Sequence, residues 1–128
     1  MLINSYELNV TTNAAGAVTA LTPHLTGEVV AIVYKKPSSG GLSTATFAIN
    51  AKNSEIDLWG EAGVNASKTV VPTQPIHDQN GDARVFETGG ENLAGPIYLA
   101  NEQVEVAVTN GGNETSGKFL IYVKGPTG

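Results

Sequence analysis

IYLANEQVEVAVTNGGNETSGKFLIYVKG, residues 97–125, contains two runs in which apolar side chains alternate with other residues. The apolar rows are Val104, Val106 and Val108 in the first run and Phe119, Ile121 and Val123 in the second. Side chains of a β-strand point alternately to its two faces, so each run presents one apolar row to one side. Between the runs, Asn-Gly-Gly-Asn at 110–113 tolerates the positive φ angles that a chain reversal needs. We therefore predict a β-hairpin in which Gln103–Thr109 pairs with Lys118–Lys124.

The rest of the chain must cover the apolar face of this hairpin, because an isolated hairpin is only marginally stable in water. In Val29–Tyr34 both alternating rows of side chains are apolar, which predicts a central strand with both faces covered. After a loop rich in Pro, Ser and Gly, Thr44–Ala51 alternates again and is predicted to return as a second hairpin. No helical period of useful length occurs, and turn residues separate eight or nine short strands. The predicted fold is all-β, an antiparallel β-sandwich of the jelly-roll kind.

The chain length predicts one β-sandwich domain over residues 1–128. Residues 1–12 alternate only loosely, and we predict an edge strand or an arm there. Residues 72–90 combine two prolines with glycine-containing turns, which predicts a long excursion from the sandwich. Long structured loops often carry function, so this excursion is a candidate binding segment.

The charge and composition of the chain argue against several classes of partner. The formal net charge is −5 with a single arginine, whereas nucleic-acid binding needs clustered Lys and Arg to neutralise phosphates. The chain has no cysteine, so it forms neither a disulfide framework nor a thiolate metal site. Its first residues lack the pattern of a signal peptide, and no apolar run is long enough to span a bilayer. We therefore expect neither a nucleic-acid nor a membrane partner.

Few residues are candidates for catalysis or metal binding. His77 and Asp78 are neighbours, but adjacent side chains of an extended chain point to opposite faces, which disfavours an acid–base pair. Two histidines without cysteine make a poor zinc site. Asp78–Asp82 is similar to the start of a calcium loop, yet Gly89 occupies the position of the bidentate glutamate, so a turn is favoured over a weak calcium site. We expect no enzyme, no catalytic or metal-binding residue and no cofactor.

Trp59, the only tryptophan, has two interpretations. An exposed indole would provide a platform for a sugar ring, with Tyr98 or Tyr122 as further aromatic candidates. A single tryptophan in a β-protein is more often packed against the core, and we favour that interpretation. A glycan-binding β-sandwich stays open as an alternative of a different class.

Several motifs after about residue 27 resemble a group of small virion proteins of tailed bacteriophages. The recurring pattern of that group is an NAS stretch, a strand ending in HD, a glycine turn, a P-I-x-L-A-x-E strand, and then V-x-x-GG and SG-x-F. The corresponding segments of this chain are 65–67, 76–78, 81–83, 95–102, 108–112 and 116–119, together with GEVVAIVYKKPSSGG at 27–41. The resemblance implies a β-rich, head-associated structural protein of a kind that is often trimeric.

More specifically, the resemblance implies a decoration or cement protein on the capsid surface of a virion. Its partners would be the lattice of the major capsid protein and further copies of itself in a homotrimer, while a head–tail or tail accessory role is the alternative. Residues 1–10 and 72–90 are apolar yet poorly patterned for a core, which makes them candidate contact segments. We expect deletion of residues 1–10 to abolish capsid binding and to leave the domain folded. The candidate interface residues are Leu2, Ile3, Tyr6, Leu8, Pro72, Pro75, His77, Arg84 and Phe86.

Overall fold

The computed structural model describes residues 3–75 and 94–125, and it contains no helix within these ranges. The strands are β1 Ile3–Thr11, β2 Val18–Leu21, β3 Leu25–Lys35, β4 Ala45–Ala51, β5 Asp57–Val64, β6 Lys68–Val70, β7 Gln74–Pro75, β8 Ala94–Gly95, β9 Tyr98–Glu102, β10 Val104–Thr109 and β11 Ser116–Lys124. In this described part, nine strands form two antiparallel sheets, and β7 pairs with β8 in a small separate ribbon. The all-β prediction, with its eight or nine strands, is confirmed.

The two sheets arise from nested pairing of the two halves of the chain. β1 pairs with β11, β2 with β10, β3 with β6 and β9, and β4 with β5. The five-stranded sheet runs β1-β11-β3, with β6 and β9 both against the far edge of β3, and the four-stranded sheet runs β2-β10-β4-β5. β4 and β5 are neighbours in one sheet, and β6 and β9 are joined through the small ribbon, while every other connection crosses between the sheets. This winding is that of a jelly roll.

The predicted terminal hairpin is wrong, because β10 and β11 lie in different sheets. β10 pairs with β2 and β4, whereas β11 pairs with β1 and β3. Both strands turn their apolar rows into one core from opposite sides, which produces the same alternation as a hairpin. The reversal at 110–115 therefore spans the two sheets, with positive φ at Asn110 and Gly112. The second predicted hairpin is wrong for the same reason, since β3 and β4 are in different sheets and β4 forms its hairpin with β5.

The prediction for Val29–Tyr34 is confirmed in one respect and wrong in another. The segment lies in β3, which is central because β11 pairs with one edge and β6 and β9 pair with the other. Ile32 and Tyr34 are fully buried on the inner face. On the outer face, however, Ala31 and Val33 are only half-buried by the described residues. The continuous apolar run therefore reflects a core on one side and a partly open apolar surface on the other.

The N-terminal segment is an edge strand and not an arm. All nine residues of β1 pair with β11 without a shift in register, and Val10 is buried in the core. Deleting residues 1–10 would remove this core side chain and leave one edge of β11 unpaired, so the deletion tests folding as well as binding. Only residues 72–75 of the predicted excursion 72–90 are described, and they include β7; residues 76–93 lie outside the described part of the chain.

Side chains from both sheets meet in a core that contains four aromatic rings. The ring centroid of Phe47 lies 5.0 Å from those of Tyr34 and Phe119, and both contacts are edge-on. Trp59 contacts the same phenylalanine edge-on at 5.1 Å. Edge-to-face pairs add stabilisation beyond the burial of apolar area. Because Phe47 is on β4 while Tyr34 and Phe119 are on β3 and β11, this cluster holds the two sheets together.

Tyr34 provides a test of the core, because its hydroxyl is buried and finds no hydrogen-bond partner among the described residues. Burial also raises the pKa of this hydroxyl. Leaving such a group unpaired costs about 1–3 kcal/mol, so we expect Tyr34→Phe to raise the free energy of unfolding by roughly 1 kcal/mol. Urea unfolding followed by circular dichroism measures the difference. A loss of stability in the variant would show that the hydroxyl has a partner.

Candidate interaction surface

The outer face of the five-stranded sheet carries apolar side chains on neighbouring strands. Residues that pair across strands share a face of the sheet, so the strand register defines rows of side chains. The three rows are Ile3, Lys124, Glu28 and Tyr98; Ser5, Tyr122 and Ala31; and Glu7, Leu120, Val33 and Thr69. We call this surface the outer apolar face, after its members Ile3, Val33, Tyr98, Leu120 and Tyr122.

The ends of the outer apolar face are its most exposed parts. Tyr98 is 62% exposed and Ile3 is 58% exposed, although both have large apolar side chains. Val71, which follows β6 at the same edge of the sheet, is 67% exposed. Lys124 and Glu28 lie between Ile3 and Tyr98 in their row, and Tyr122 and Leu120 in the next two rows are half-buried by their neighbours. Exposed apolar groups collected on one face are typical of a surface that binds another molecule.

A groove adjoins this face where β6 ends and β9 begins. Its volume is about 470 Å³, and its walls include Val30, Val71 and Pro96. A second groove of about 410 Å³ lies beside Tyr98 and Lys124. Glu28 lines both grooves. Thr73 and Gly95, at the β7–β8 ribbon, also line the first groove.

Charged residues border the apolar centre of the face. Lys118 Nζ lies 3.6 Å from Glu7 Oε1, and both side chains are about half exposed. Asn9 Nδ2 donates to Glu7 Oε2 at 3.0 Å. This hydrogen bond, followed by the charge of Lys118, lowers the pKa of Glu7. Glu7 is therefore ionised over the whole neutral range, and it forms a polar border on the β1 side of the face.

The structure separates the residues that the sequence placed in the interface. Ile3 is exposed on the outer apolar face, whereas Tyr6 and Leu8 point inward and are half-buried against the core. Pro72 is buried. Pro75 belongs to β7, and its side chain lies outside the described part of the structure. Four further candidates lie outside the described residues altogether: Leu2, His77, Arg84 and Phe86.

From the sequence, Tyr98 and Tyr122 are candidates only for sugar stacking, and Leu120 and Val71 are assigned to no interface. The alternation of β11 already placed Leu120 and Tyr122 opposite the core row, so a signal was present. The hairpin prediction places this row on the second face of the hairpin. The sequence carries no signal that no other layer of the described structure covers that face.

Trp59 is buried at 7% exposure, in agreement with the favoured interpretation, so it offers no sugar platform. Its Nε1 donates to Glu61 Oε1 at 3.0 Å, and Lys68 Nζ lies 2.7 Å from Glu61 Oε2. The hydrogen bond from Lys68, and then that from Trp59, lowers the pKa of Glu61. The indole is thus held at the edge of the four-stranded sheet by an ionised carboxylate.

We expect the fluorescence of Trp59 to follow the titration of Glu61. Because folding lowers the pKa of Glu61, its ion pair is fully formed above the ordinary glutamate pKa of about 4.3 and is lost as the pH falls through the lower folded-state value. An emission change with a midpoint below that ordinary value, absent in Glu61→Gln, is the expected result. A midpoint at or above it would contradict the assignment.

The described residues contain no grouping of three or more His, Asp or Glu side chains suited to a metal ion. His24 and Glu102 line a common groove, but Glu102 Oε1 accepts from the backbone nitrogens of Ser54 and Asn53 at 2.9 and 3.2 Å. This buried carboxylate therefore serves as the hydrogen-bond acceptor for two backbone N–H groups of the β4–β5 turn. His77, Asp78 and the similarity to a calcium loop fall outside the described residues.

Comparison with known proteins does not assign the chain to a group. No protein-family model matches it, and neither do the curated proteins or the solved structures. None of the residues in 3–75 and 94–125 forms a helix that is long and apolar enough to cross a membrane.

Proposed function

We propose that this chain is a virion structural protein that binds the outside of a phage capsid and stabilises it, as a decoration or cement protein. The sequence motifs that resemble small virion proteins support the proposal. The observation that carries it is the outer apolar face, where Ile3 and Tyr98 are exposed at the two ends of one row. Jelly rolls occur in viral capsid and lectin domains, so the fold is compatible with this role without requiring it.

A cement protein stabilises a shell because it binds the assembled lattice and not the dispersed subunits. The outer apolar face would supply the contact, with Tyr98 and Tyr122 as aromatic anchors of the type that dominates binding energy at interfaces. Binding as a homotrimer at a lattice threefold would let modest single-site affinities combine. The contact would bury the apolar side chains that solvent reaches in the isolated chain.

The test is co-sedimentation of the purified chain with empty shells of the phage capsid, with its mass measured by light scattering. We expect the chain to pellet with shells and the double variant Tyr98→Ser, Tyr122→Ser to bind at least about 30-fold more weakly, since one aromatic anchor contributes about 2 kcal/mol. Saturable binding at a fixed ratio to capsid subunits supports the decoration role.

Leu21→Ser is the matched control, because Leu21 is also an exposed large apolar residue, at 41%, but lies on β2 in the opposite sheet. This variant is expected to bind shells like the parent chain. Equal losses in both variants would show a nonspecific apolar effect. A chain that ignores shells refutes the capsid role and leaves the head–tail or tail accessory role to be tested with tail and connector assemblies.

The second candidate function is a glycan-binding module. Tyr98 and Tyr122 lie on the same face in adjacent rows, which is the arrangement that favours it. Aromatic rings on an exposed face can stack on sugars through their apolar surface. Calorimetric titration with polysaccharides distinguishes the two functions, because a glycan module releases heat with sugar alone, whereas a cement protein does so only with shells.

A further inference from the structure

The edge strand β1 has few of the features that usually protect an exposed sheet edge. Among the described strands it pairs only with β11, and its nine residues contain no proline, no lysine and no bulge, with Glu7 as their one charged residue. Natural proteins block such edges with charges, prolines, bulges or very short strands, because unpaired N–H and C=O groups accept another strand. An open, regular edge of this length is therefore suited to pairing.

The other outer strands in the described part of the chain differ from β1. β2 has four residues, β6 has three and β9 has five, so none of them offers a long row of free backbone groups. β5 is longer, but its pairing with β4 shifts register twice, and it contains Gly60 and Gly63. Among the described strands, β1 alone combines length, regularity and an open side.

We propose that β1 pairs antiparallel with β1 of a second copy of this chain, about a twofold axis at Leu8. In this register Leu8 meets Leu8 of the second copy, and Tyr6 meets the second copy's Val10. All three side chains point to the core side of the sheet, and Tyr6 and Leu8 are only half-buried in one copy. Aromatic and β-branched residues placed directly opposite each other form favourable cross-strand pairs.

The outward-facing residues are complementary in the same register. Glu7 meets Asn9 of the second copy, and Ser5 meets the second copy's Thr11. Asn9 pairs with Lys118 inside each copy, so each Glu7 gains an amide donor and a second lysine in the same row. Each Glu7 would then share a row with Lys118 of the second copy, in addition to the ion pair with its own Lys118.

Neighbouring registers of the same two strands fit less well. An axis at Glu7 would place two carboxylates directly opposite each other, which is destabilising. An axis at Tyr6 would place Leu8 against Asn4 and Ile3 against Asn9, so that apolar side chains meet amides in two successive pairs on each side of the axis. Of these three registers, the axis at Leu8 fits the sequence of β1 best, and strong cross-linking of Asn9→Cys alone would instead mean an axis at Asn9.

Such a pair would join two five-stranded sheets into one continuous sheet of ten strands. The two outer apolar faces would then lie side by side, each still open. The contact does not depend on the proposed capsid role. It is compatible with a trimer as well, because a twofold contact could link neighbouring trimers or two free chains.

Cysteine cross-linking tests the register directly, because the natural chain has no cysteine to interfere. Glu7→Cys and Asn9→Cys are each outward-facing and exposed, so neither disturbs the core. Residues directly opposite on paired strands lie about 4.5–5.5 Å apart between Cα atoms, within disulfide range. Two copies of residue 7 lie diagonally, at about 7–8 Å, which is beyond that range.

We expect an equimolar mixture of the two variants to oxidise mainly to the mixed dimer, whereas each variant alone stays largely monomeric on a denaturing, non-reducing gel. Strong cross-linking of Glu7→Cys alone would mean an axis at Glu7 and overturn the proposed register. No excess of mixed dimer over the separate samples would overturn the contact itself. Glu7→Lys provides a second measurement, because it places lysines together across the axis. The dimer dissociation constant of this variant, measured by sedimentation equilibrium, should rise at least about tenfold.

Discussion

Replacing Phe47 with alanine is expected to lower the free energy of unfolding by about 3–5 kcal/mol, the usual cost of deleting a buried phenylalanine ring. Phe47 is 1% exposed and touches three other aromatic rings at 5.0–5.1 Å between centroids. Because these contacts connect the two sheets, the cavity would form between the layers. For a chain of this length the melting temperature should fall by about 10–20 °C.

Urea unfolding measures this loss, with circular dichroism for the backbone and Trp59 emission for the core. Ala48→Ser is the matched control, because Ala48 is the next residue on β4 and faces outward and exposed. It should change stability by less than about 0.5 kcal/mol. A loss below about 1 kcal/mol in Phe47→Ala would contradict a close-packed aromatic cluster. Phe47→Leu should fall between the two, since it keeps most of the apolar volume.

Replacing Gly27 with alanine is the second substitution expected to have a large effect. Gly27 lies in β3 at φ +137°, a conformation that residues with a side chain rarely adopt. A Cβ at this position would clash with the carbonyl oxygen of Lys124 on β11. The backbone strain alone costs about 1–3 kcal/mol, and the clash with a backbone atom adds to it. We expect a total loss of at least about 3 kcal/mol, or failure to fold.

Gly40→Ala separates backbone strain from steric clash. Gly40 also has positive φ, at +69°, but no atom lies within 4 Å of the Cβ that alanine would add. Its loss should be about 1 kcal/mol, because alanine in the left-handed region has a modest cost. Thermal unfolding of both variants gives the comparison. Equal effects would show that β3 and β11 can separate at Gly27 without loss of stability.

The effect at Gly27 would extend to the candidate interaction surface. Glu28 follows directly and pairs with both Lys124 and Tyr98, so the first row of the outer apolar face depends on the close approach at Gly27. A variant that folds but is strained here should bind its partner less tightly although no contact residue has changed. This separates Gly27 from Tyr98, whose replacement should leave stability unchanged.

Several elements followed directly from local patterns. The alternation of Val104–Thr109 and Lys118–Lys124 correctly predicted two strands and their buried rows. The run at Val29–Tyr34 correctly predicted a central strand. These predictions succeed because the side-chain period of a strand and the need to bury apolar rows act within a few residues of sequence.

The failures concern which strands pair. Adjacent strands joined by a glycine-rich reversal were expected to be hairpin partners, yet β10 and β11 face each other across the core. A strand with one apolar row can bury that row whether the next strand lies beside it in the same sheet or faces it from the other sheet. Alternation therefore does not distinguish the two arrangements. Only the nested pairing of β1 with β11 and of β2 with β10 resolves it, and the paired residues are more than 80 positions apart in sequence.

The candidate surface illustrates the same division. The sequence alone determined an all-β domain, the inward rows of its strands and an acidic, cysteine-free composition that argues against nucleic-acid binding. The tertiary structure decided that Tyr98, Tyr122 and Leu120 share one outer face, that β1 is an open edge and that Trp59 is buried. The physical reason is that strand periodicity is local, whereas neighbours within a sheet depend on pairing between distant segments, which a single strand's pattern does not encode.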